Sequence, residues 1–77
     1  MFEVTLITAQ KTIFRGPAKS IVLPGESGVF EITPFHVNII SRLVGGYIII
    51  DGRNSFIIKR GVVKLERNVA TIIVEEP

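Results

Sequence analysis

Hydrophobic and polar residues alternate over short stretches of this chain, with turn-forming residues between the stretches. Phe2, Val4 and Leu6 are separated by Glu3 and Thr5, a period of two that is typical of a half-buried β-strand. Glycine, proline and polar turn residues recur about every eight to twelve residues and divide the chain into short segments. The predicted strands cover residues 2–6, 11–14, 19–23, 29–32, 36–44, 47–50, 56–58, 62–66 and 69–74. Gly16-Pro17 and Gly61 are expected to end strands, Asp51-Gly52 predicts a hairpin, and Arg67-Asn68 predicts a polar turn.

The number and length of these strands predict an all-β fold in one domain, residues 1–77. Eight or nine short strands without a convincing helix indicate a small two-layer β-sandwich or flattened barrel of about eight to ten strands. The sequence contains 13 isoleucines and 9 valines, and β-branched side chains favour strands. A hydrophobic share of 47% and a mean hydropathy of +0.46 suggest that a partner covers part of the surface.

The residues that usually carry chemistry are sparse. Cysteine is absent and His36 is the only histidine, so disulfides, thiolate zinc sites, histidine pairs and histidine triads are excluded. The loop Gly25–Gly28 lacks the lysine and the helix of a phosphate-binding loop. The carboxylates lie in separate turns or alternate with apolar residues. We therefore expect a protein that is not catalytic by itself and needs no metal or cofactor.

The charge balance leaves one alternative function open. Nine basic and seven acidic residues give a net charge of +2, too little to indicate a polyanionic partner by itself. A small β-barrel can nevertheless bind single-stranded nucleic acid through exposed aromatic rings beside basic residues. The basic residues of the later strands that would form such a patch are Arg53, Lys59, Arg60, Lys64 and Arg67.

No membrane-spanning segment is expected. The longest apolar run is Leu43–Ile50, eight residues with two glycines, whereas a spanning helix needs about 20 residues. No secretion signal opens the chain.

The most specific pattern is Leu23–His36, which places a Pro-Gly turn, a second glycine and a Pro-x-His corner around one short strand. It resembles the LPG-x-x-G-x-FG-x-LPGH pattern of the epsilon subunit of F-type ATP synthases, called delta in mitochondria. The similarity extends over nearly the whole chain and includes further segments in the family's order: 2–8, 14–16, 46–50, 60–65 and 68–74.

Four positions depart from the family pattern. Glu31, Phe35 and Arg60 stand where the family usually has glycine, and Asn38 stands where it has proline. A residue other than glycine disfavours a positive φ angle, so we expect a rebuilt corner at Phe35. The family's two-helix hairpin, which in some members binds ATP, lies beyond the sandwich. The resemblance therefore implies no ATP binding by residues 1–77.

The resemblance implies a mechanical role. In such complexes the sandwich joins the gamma subunit to the ring of c subunits and couples ion flow to ATP synthesis. It implies a peripheral location on the cytoplasmic face of a bacterial cell membrane, and no nucleic-acid partner. The residues expected to contact the c-ring are Gly25, Glu26, Ser27, Gly28, Val29, Glu31, Phe35 and His36. Those expected to contact gamma are Tyr47, Ile49, Ile72 and Val74.

Overall fold

The computed structural model describes all residues from Met1 to Pro77, and they form nine β-strands and no helix. This confirms the predicted all-β fold and the predicted number of strands. A helical hairpin of the kind seen in the resembling family is not part of these residues. The strands are β1 (Phe2–Ile7), β2 (Thr12–Ala18), β3 (Ile21–Gly25), β4 (Gly28–Ile32), β5 (Ile39–Leu43), β6 (Gly46–Ile50), β7 (Asn54–Ile58), β8 (Arg60–Glu66) and β9 (Val69–Glu75).

The strands form two packed layers of one continuous sheet. The larger layer has the order β2-β1-β9-β8-β5, and the smaller has β3, β6 and β7 with β4 paired on the other side of β3. The layers are joined where Gly25 of β3 pairs with Leu43 of β5. All neighbours are antiparallel except β1 and β9, which are parallel. The molecule measures 30 × 26 × 21 Å.

The core lies between the two layers and contains aliphatic side chains, with Phe2 as its only buried aromatic. One residue in two points inward along most strands, as the alternation predicts. Phe14 of β2 and Phe56 of β7 pack with ring centroids 6.3 Å apart and close one side of the sandwich. The buried hydrophobic residues of the core are Phe2, Val4, Leu6, Ala18, Ile21, Leu23, Ile32, Leu43, Ile48, Ile50, Ile58, Val63, Leu65, Ala70, Ile72 and Val74.

Several predicted strand ends are wrong. The strand predicted over 36–44 begins only at Ile39. Gly16-Pro17 was expected to end a strand, but β2 continues to Ala18, with Pro17 opposite Glu3. Because β2 is an edge strand, it can accommodate a residue without an N–H group. Gly61 was expected to separate two strands, but it lies inside β8 opposite Val74. The break falls instead at Lys59.

The predicted hairpin at Asp51-Gly52 is confirmed, and it joins β6 to β7. Asp51 and Gly52 have φ angles of 55° and 67°. The Asp51 carboxylate Oδ1 accepts hydrogen bonds from the backbone N–H groups of Lys19 (2.7 Å) and Ser20 (3.1 Å). Its own N–H donates to the Ser20 carbonyl at 2.9 Å. Asp51 therefore fixes the β2–β3 connection against the β6–β7 turn.

We expect Asp51→Asn to lower the melting temperature at pH 7. The backbone N–H groups of Lys19 and Ser20 hold the pKa of Asp51 below its ordinary value, so the ionised carboxylate stabilises the fold above about pH 4. This contribution disappears as the pH falls through the lowered pKa of the folded state. Thermal unfolding from pH 2 to pH 7 should show the two proteins converging at acid pH. Glu3→Gln is the control, because the exposed Glu3 carboxylate accepts no such bonds. Equal melting temperatures for wild type and Asp51→Asn at pH 7 would contradict the stabilising role.

Candidate partner-binding surfaces

The residues expected to contact the c-ring lie along β4 and at its two ends. The turn Gly25–Gly28 closes the β3–β4 hairpin, and Phe35 and His36 lie beyond the opposite end of β4. Four residue steps along a strand separate these ends by about 13 Å. A single partner that touches both groups must therefore extend along β4. Gly25 is buried, so we remove it from the expected contact. We call the remaining set Glu26–Val29, Glu31, Phe35 and His36 the β4 edge.

The exposure of β4 suits such a contact. The strand pairs only with β3, so its other edge carries backbone groups without a neighbouring strand. Val29 is 74% exposed, and Glu31 is exposed on the same face. Edge strands of this kind are available to partners.

The structure divides the residues expected to contact gamma. Tyr47 is 57% exposed on the outer face of the smaller layer, opposite Ile57, which is 52% exposed. Ile49 is half-buried on the same face. Ile72 and Val74, by contrast, point into the core and are 0% and 4% exposed. Since their side chains have no free surface to offer a partner, we remove both from the expected gamma contact.

The two remaining candidate surfaces are close together. β3 lies between β4 and β6 and pairs with both. Two strand spacings place β4 about 10 Å from β6. Because β3 is hydrogen-bonded to both strands, the β4 edge and the outer face of β6 and β7 are directly connected.

A third exposed apolar surface was missed from the sequence. It lies on the outer face of the larger layer and includes Ile40 (75% exposed), Val69 (43%) and Ile73 (48%). On β9 the apolar run Ile72–Val74 conceals the alternation that would have identified Ile73 as the outward residue. Val69 and Ile40 each have a polar neighbour on one side only, Asn68 and Ser41, so little in the local sequence indicated their exposure.

An open groove of about 790 Å³ lies beside the Gly25–Gly28 turn. Val44, Val62 and Ile73 contribute apolar surface to it. At its rim, Arg60 Nε lies 2.7 Å from a Glu75 carboxylate oxygen. This pair is exposed, and such pairs contribute about 0–1 kcal/mol. No group of three or more His, Cys, Asp or Glu residues in the structure is suited to holding a metal ion.

The Phe35 corner differs from the expectation. Phe35 keeps a φ of 64°, in the left-handed region that glycine adopts freely, so the prediction of a rebuilt corner is wrong. The Phe35 N–H donates to Asn68 Oδ1 at 2.9 Å, and the His36 N–H donates to the Thr33 carbonyl at 3.2 Å. His36 Nδ1–H in turn donates to the Val37 carbonyl at 2.8 Å. These bonds hold the corner in a conformation that a phenylalanine disfavours.

Lys64 and Arg60 lie away from the exposed aromatic rings, whereas Arg67 lies in the β8–β9 turn that is tied to the Phe35 corner. Lys64 points outward from the larger layer, where its Nζ lies 3.5 Å from a Glu66 oxygen, and Arg60 pairs with Glu75 as described above. The exposed aromatic side chains, Tyr47 and Phe35, lie on the smaller layer and at the corner. The positions of Lys64 and Arg60 therefore do not favour base stacking on an exposed ring beside them.

None of the structure's secondary elements is a helix long and apolar enough to span a membrane. The features together define a class of protein: a small, rigid all-β domain whose exposed apolar residues lie on sheet surfaces and at one corner, as in proteins that bind other proteins.

The chain belongs to the family described as "ATP synthase, Delta/Epsilon chain, beta-sandwich domain", whose sequence profile matches residues 1–76. This agrees with the resemblance seen in the sequence and with a subunit that is not catalytic by itself. It does not favour nucleic-acid binding.

The curated relatives include proteins named ATP synthase epsilon chain. That of Nitratiruptor sp. is 38% identical over 77 residues, covering 95% of this chain and 60% of the relative. That of Bordetella avium is 34% identical over 75 residues, covering 92% of this chain and 53% of the relative. The chain thus spans a little over half the length of these relatives.

Two solved structures share the fold. One is described as the central stalk and c-ring of Tetrahymena thermophila mitochondrial ATP synthase; it has a TM-score of 0.82 at 22% identity and covers 96% of this chain and 63% of the other. The other, from Euglena gracilis mitochondrial ATP synthase, has a TM-score of 0.87 at 18% identity and covers 95% and 49%. The fold of this chain is therefore one found in ATP synthase assemblies.

Proposed function

We propose that this chain is a non-catalytic central-stalk subunit of an F-type ATP synthase. In this role it links the gamma subunit to the c-ring and helps couple ion translocation to ATP synthesis. It works at the cytoplasmic face of the membrane as a peripheral part of the complex. The observation that carries the proposal is the match of residues 1–76 to the β-sandwich domain of the delta/epsilon family.

We assign the outer face of β6 and β7 to gamma. The paired side chains of Tyr47 and Ile57 are more than half exposed, and Ile49 extends this apolar surface. An apolar centre with aromatic residues is typical of stable protein interfaces.

We assign the β4 edge to the c-ring. Its exposed carboxylates, Glu26 and Glu31, can pair with basic side chains of the ring. Each such pair contributes about 0–1 kcal/mol when exposed, so the acidic residues orient the contact and do not supply most of its affinity. The rigid connection through β3 then lets force pass between the two partners.

Co-expression with the gamma subunit of the same organism tests the gamma contact. We expect the two proteins to co-elute in size-exclusion chromatography as a one-to-one complex. Tyr47→Asp should weaken this complex at least tenfold, because burying an uncompensated carboxylate in an apolar interface is costly. Ile73→Asp is the matched control: its side chain is similarly exposed, at 48%, but lies on the other layer, so binding should change by less than about twofold.

The possible outcomes distinguish the linking function from the assignment of the gamma contact to β6 and β7. A complex lost with Ile73→Asp and kept with Tyr47→Asp would move the gamma contact to the larger layer. Elution of the wild-type chain apart from gamma at micromolar concentrations would contradict the linking role itself.

A further inference from the structure

Phe35 combines full exposure with an unfavourable backbone. Its side chain is 88% exposed, the highest value among the large hydrophobic residues. Its φ of 64° lies in the left-handed region, which is disfavoured for residues with a Cβ atom. A residue that is both strained and exposed gains nothing from the core, and such strain clusters at functional positions.

The corner around Phe35 is held by residues distant in the sequence. Asn68 Oδ1 accepts the Phe35 N–H, and Asn68 Nδ2–H donates to the Met1 carbonyl at 3.1 Å. Asn38 Oδ1 accepts the Arg67 N–H at 3.1 Å. The corner is thereby tied to the β8–β9 turn and to the start of β1, and Pro34 further restricts its backbone. The phenyl ring is presented on a rigid support.

Stability alone does not account for this arrangement. Glycine would adopt the same backbone without steric cost, and the exposed ring makes little packing contact that glycine would lose. The phenyl side chain is therefore present at a position where the backbone conformation favours glycine.

We propose that Phe35 is an anchor residue that inserts into an apolar recess on the c-subunit ring, and that Asn68 is the residue that positions it. The proposal rests on the ring contact proposed above and identifies its principal side chain. Phe35 lies at the far end of the β4 edge from the Gly25–Gly28 turn, and Val37 beside it is 73% exposed, which extends the apolar surface. A rigidly held single ring suits a preformed protein pocket, since little conformational entropy is lost on binding.

The test measures binding of the chain, in complex with gamma, to purified c-ring in detergent by biolayer interferometry. We expect Phe35→Gly to weaken binding at least tenfold while the melting temperature stays the same or rises. Phe35→Leu keeps an apolar side chain on the same strained backbone, so it should show an intermediate loss. Lower affinity without lower stability distinguishes an anchor from a residue needed for folding.

Asn68 is tested by a double-mutant cycle. Asn68→Ala should weaken binding to the c-ring about fivefold in the wild-type background. It should cause no further loss in the Phe35→Gly background, because Asn68 acts through the position of the Phe35 side chain. Asn68→Asp retains the acceptor for the Phe35 N–H but loses the donor to the Met1 carbonyl, so it should recover only part of the binding lost in Asn68→Ala. A general structural role would instead give the same loss in both backgrounds.

Three results would overturn the proposal. Wild-type affinity of Phe35→Gly for the ring would exclude the anchor and leave the stalk function standing. Failure of the wild-type complex to bind the ring would exclude both. The third result concerns binding of the chain to vesicles of phosphatidylethanolamine and phosphatidylglycerol. If Phe35→Gly abolished that binding and left binding to the c-ring unchanged, Phe35 would be assigned to the lipid surface.

Discussion

Replacing Ile72 with alanine is expected to lower the free energy of unfolding by about 3–4 kcal/mol. Ile72 is fully buried at the centre of the core, on β9, which pairs with β1 on one side and β8 on the other. Removing three carbon atoms there leaves a cavity that the rigid layers fill poorly. A domain of this length has a total stability of about 4–12 kcal/mol, so the substitution should remove at least about a quarter of it. Urea denaturation followed by circular dichroism measures the change.

The neighbouring isoleucine supplies a matched control. Ile73→Ala removes the same atoms one residue further along β9, but from a side chain that is 48% exposed. We expect it to cost less than about 1 kcal/mol. Similar losses at both positions would contradict the alternation observed in β9, and a loss below about 1 kcal/mol for Ile72→Ala would make Ile72 available again as a contact residue.

Replacing Gly61 with alanine is expected to cost about 2–3 kcal/mol. A Cβ atom at this position would lie 2.6 Å from the Ile73 carbonyl oxygen and 2.8 Å from Val74 Cγ1. The first of these is a backbone atom, so the clash is relieved only by moving β9 away from β8. Thermal unfolding should show a melting temperature lower by about 10 °C or more.

Gly16→Ala is the control for Gly61→Ala. Gly16 also lies inside a strand, β2, but its nearest neighbours to a new Cβ atom are Phe14 ring carbons at 3.8 and 3.9 Å, which is ordinary contact. We expect a change within about 0.5 kcal/mol or a small gain, because alanine loses less backbone entropy than glycine. A comparable loss in both variants would show that strand glycines are generally required, and that the close approach at Gly61 is not the cause.

The close approach of β8 and β9 at Gly61 also explains why the sequence-based prediction of a strand end there was wrong. A glycine between apolar segments usually indicates a turn, and only the contact with β9 shows that this one permits two strands to approach. Pro17 is a comparable case, since its place within β2 depends on which edge of that strand is unpaired.

The Phe35 corner shows the limit of local backbone preferences. The preference of phenylalanine for negative φ predicted a changed corner. The observed conformation depends on Asn68, 33 residues away, and no local pattern indicates that hydrogen bond. The contribution of the distant acceptor outweighs the local cost.

The sequence by itself determined the fold class, the approximate strands, the two hairpin turns at Asp51-Gly52 and Arg67-Asn68, and the family. These follow from local properties: alternation, β-branched composition, turn residues and a recurring motif. Only the tertiary structure decided which side of each apolar run faces outward, so that Tyr47 is exposed and Ile72 is buried. Runs such as Tyr47–Ile50 and Ile72–Val74 are apolar at every position, and the inward face is therefore chosen by strand pairing and packing against the other layer.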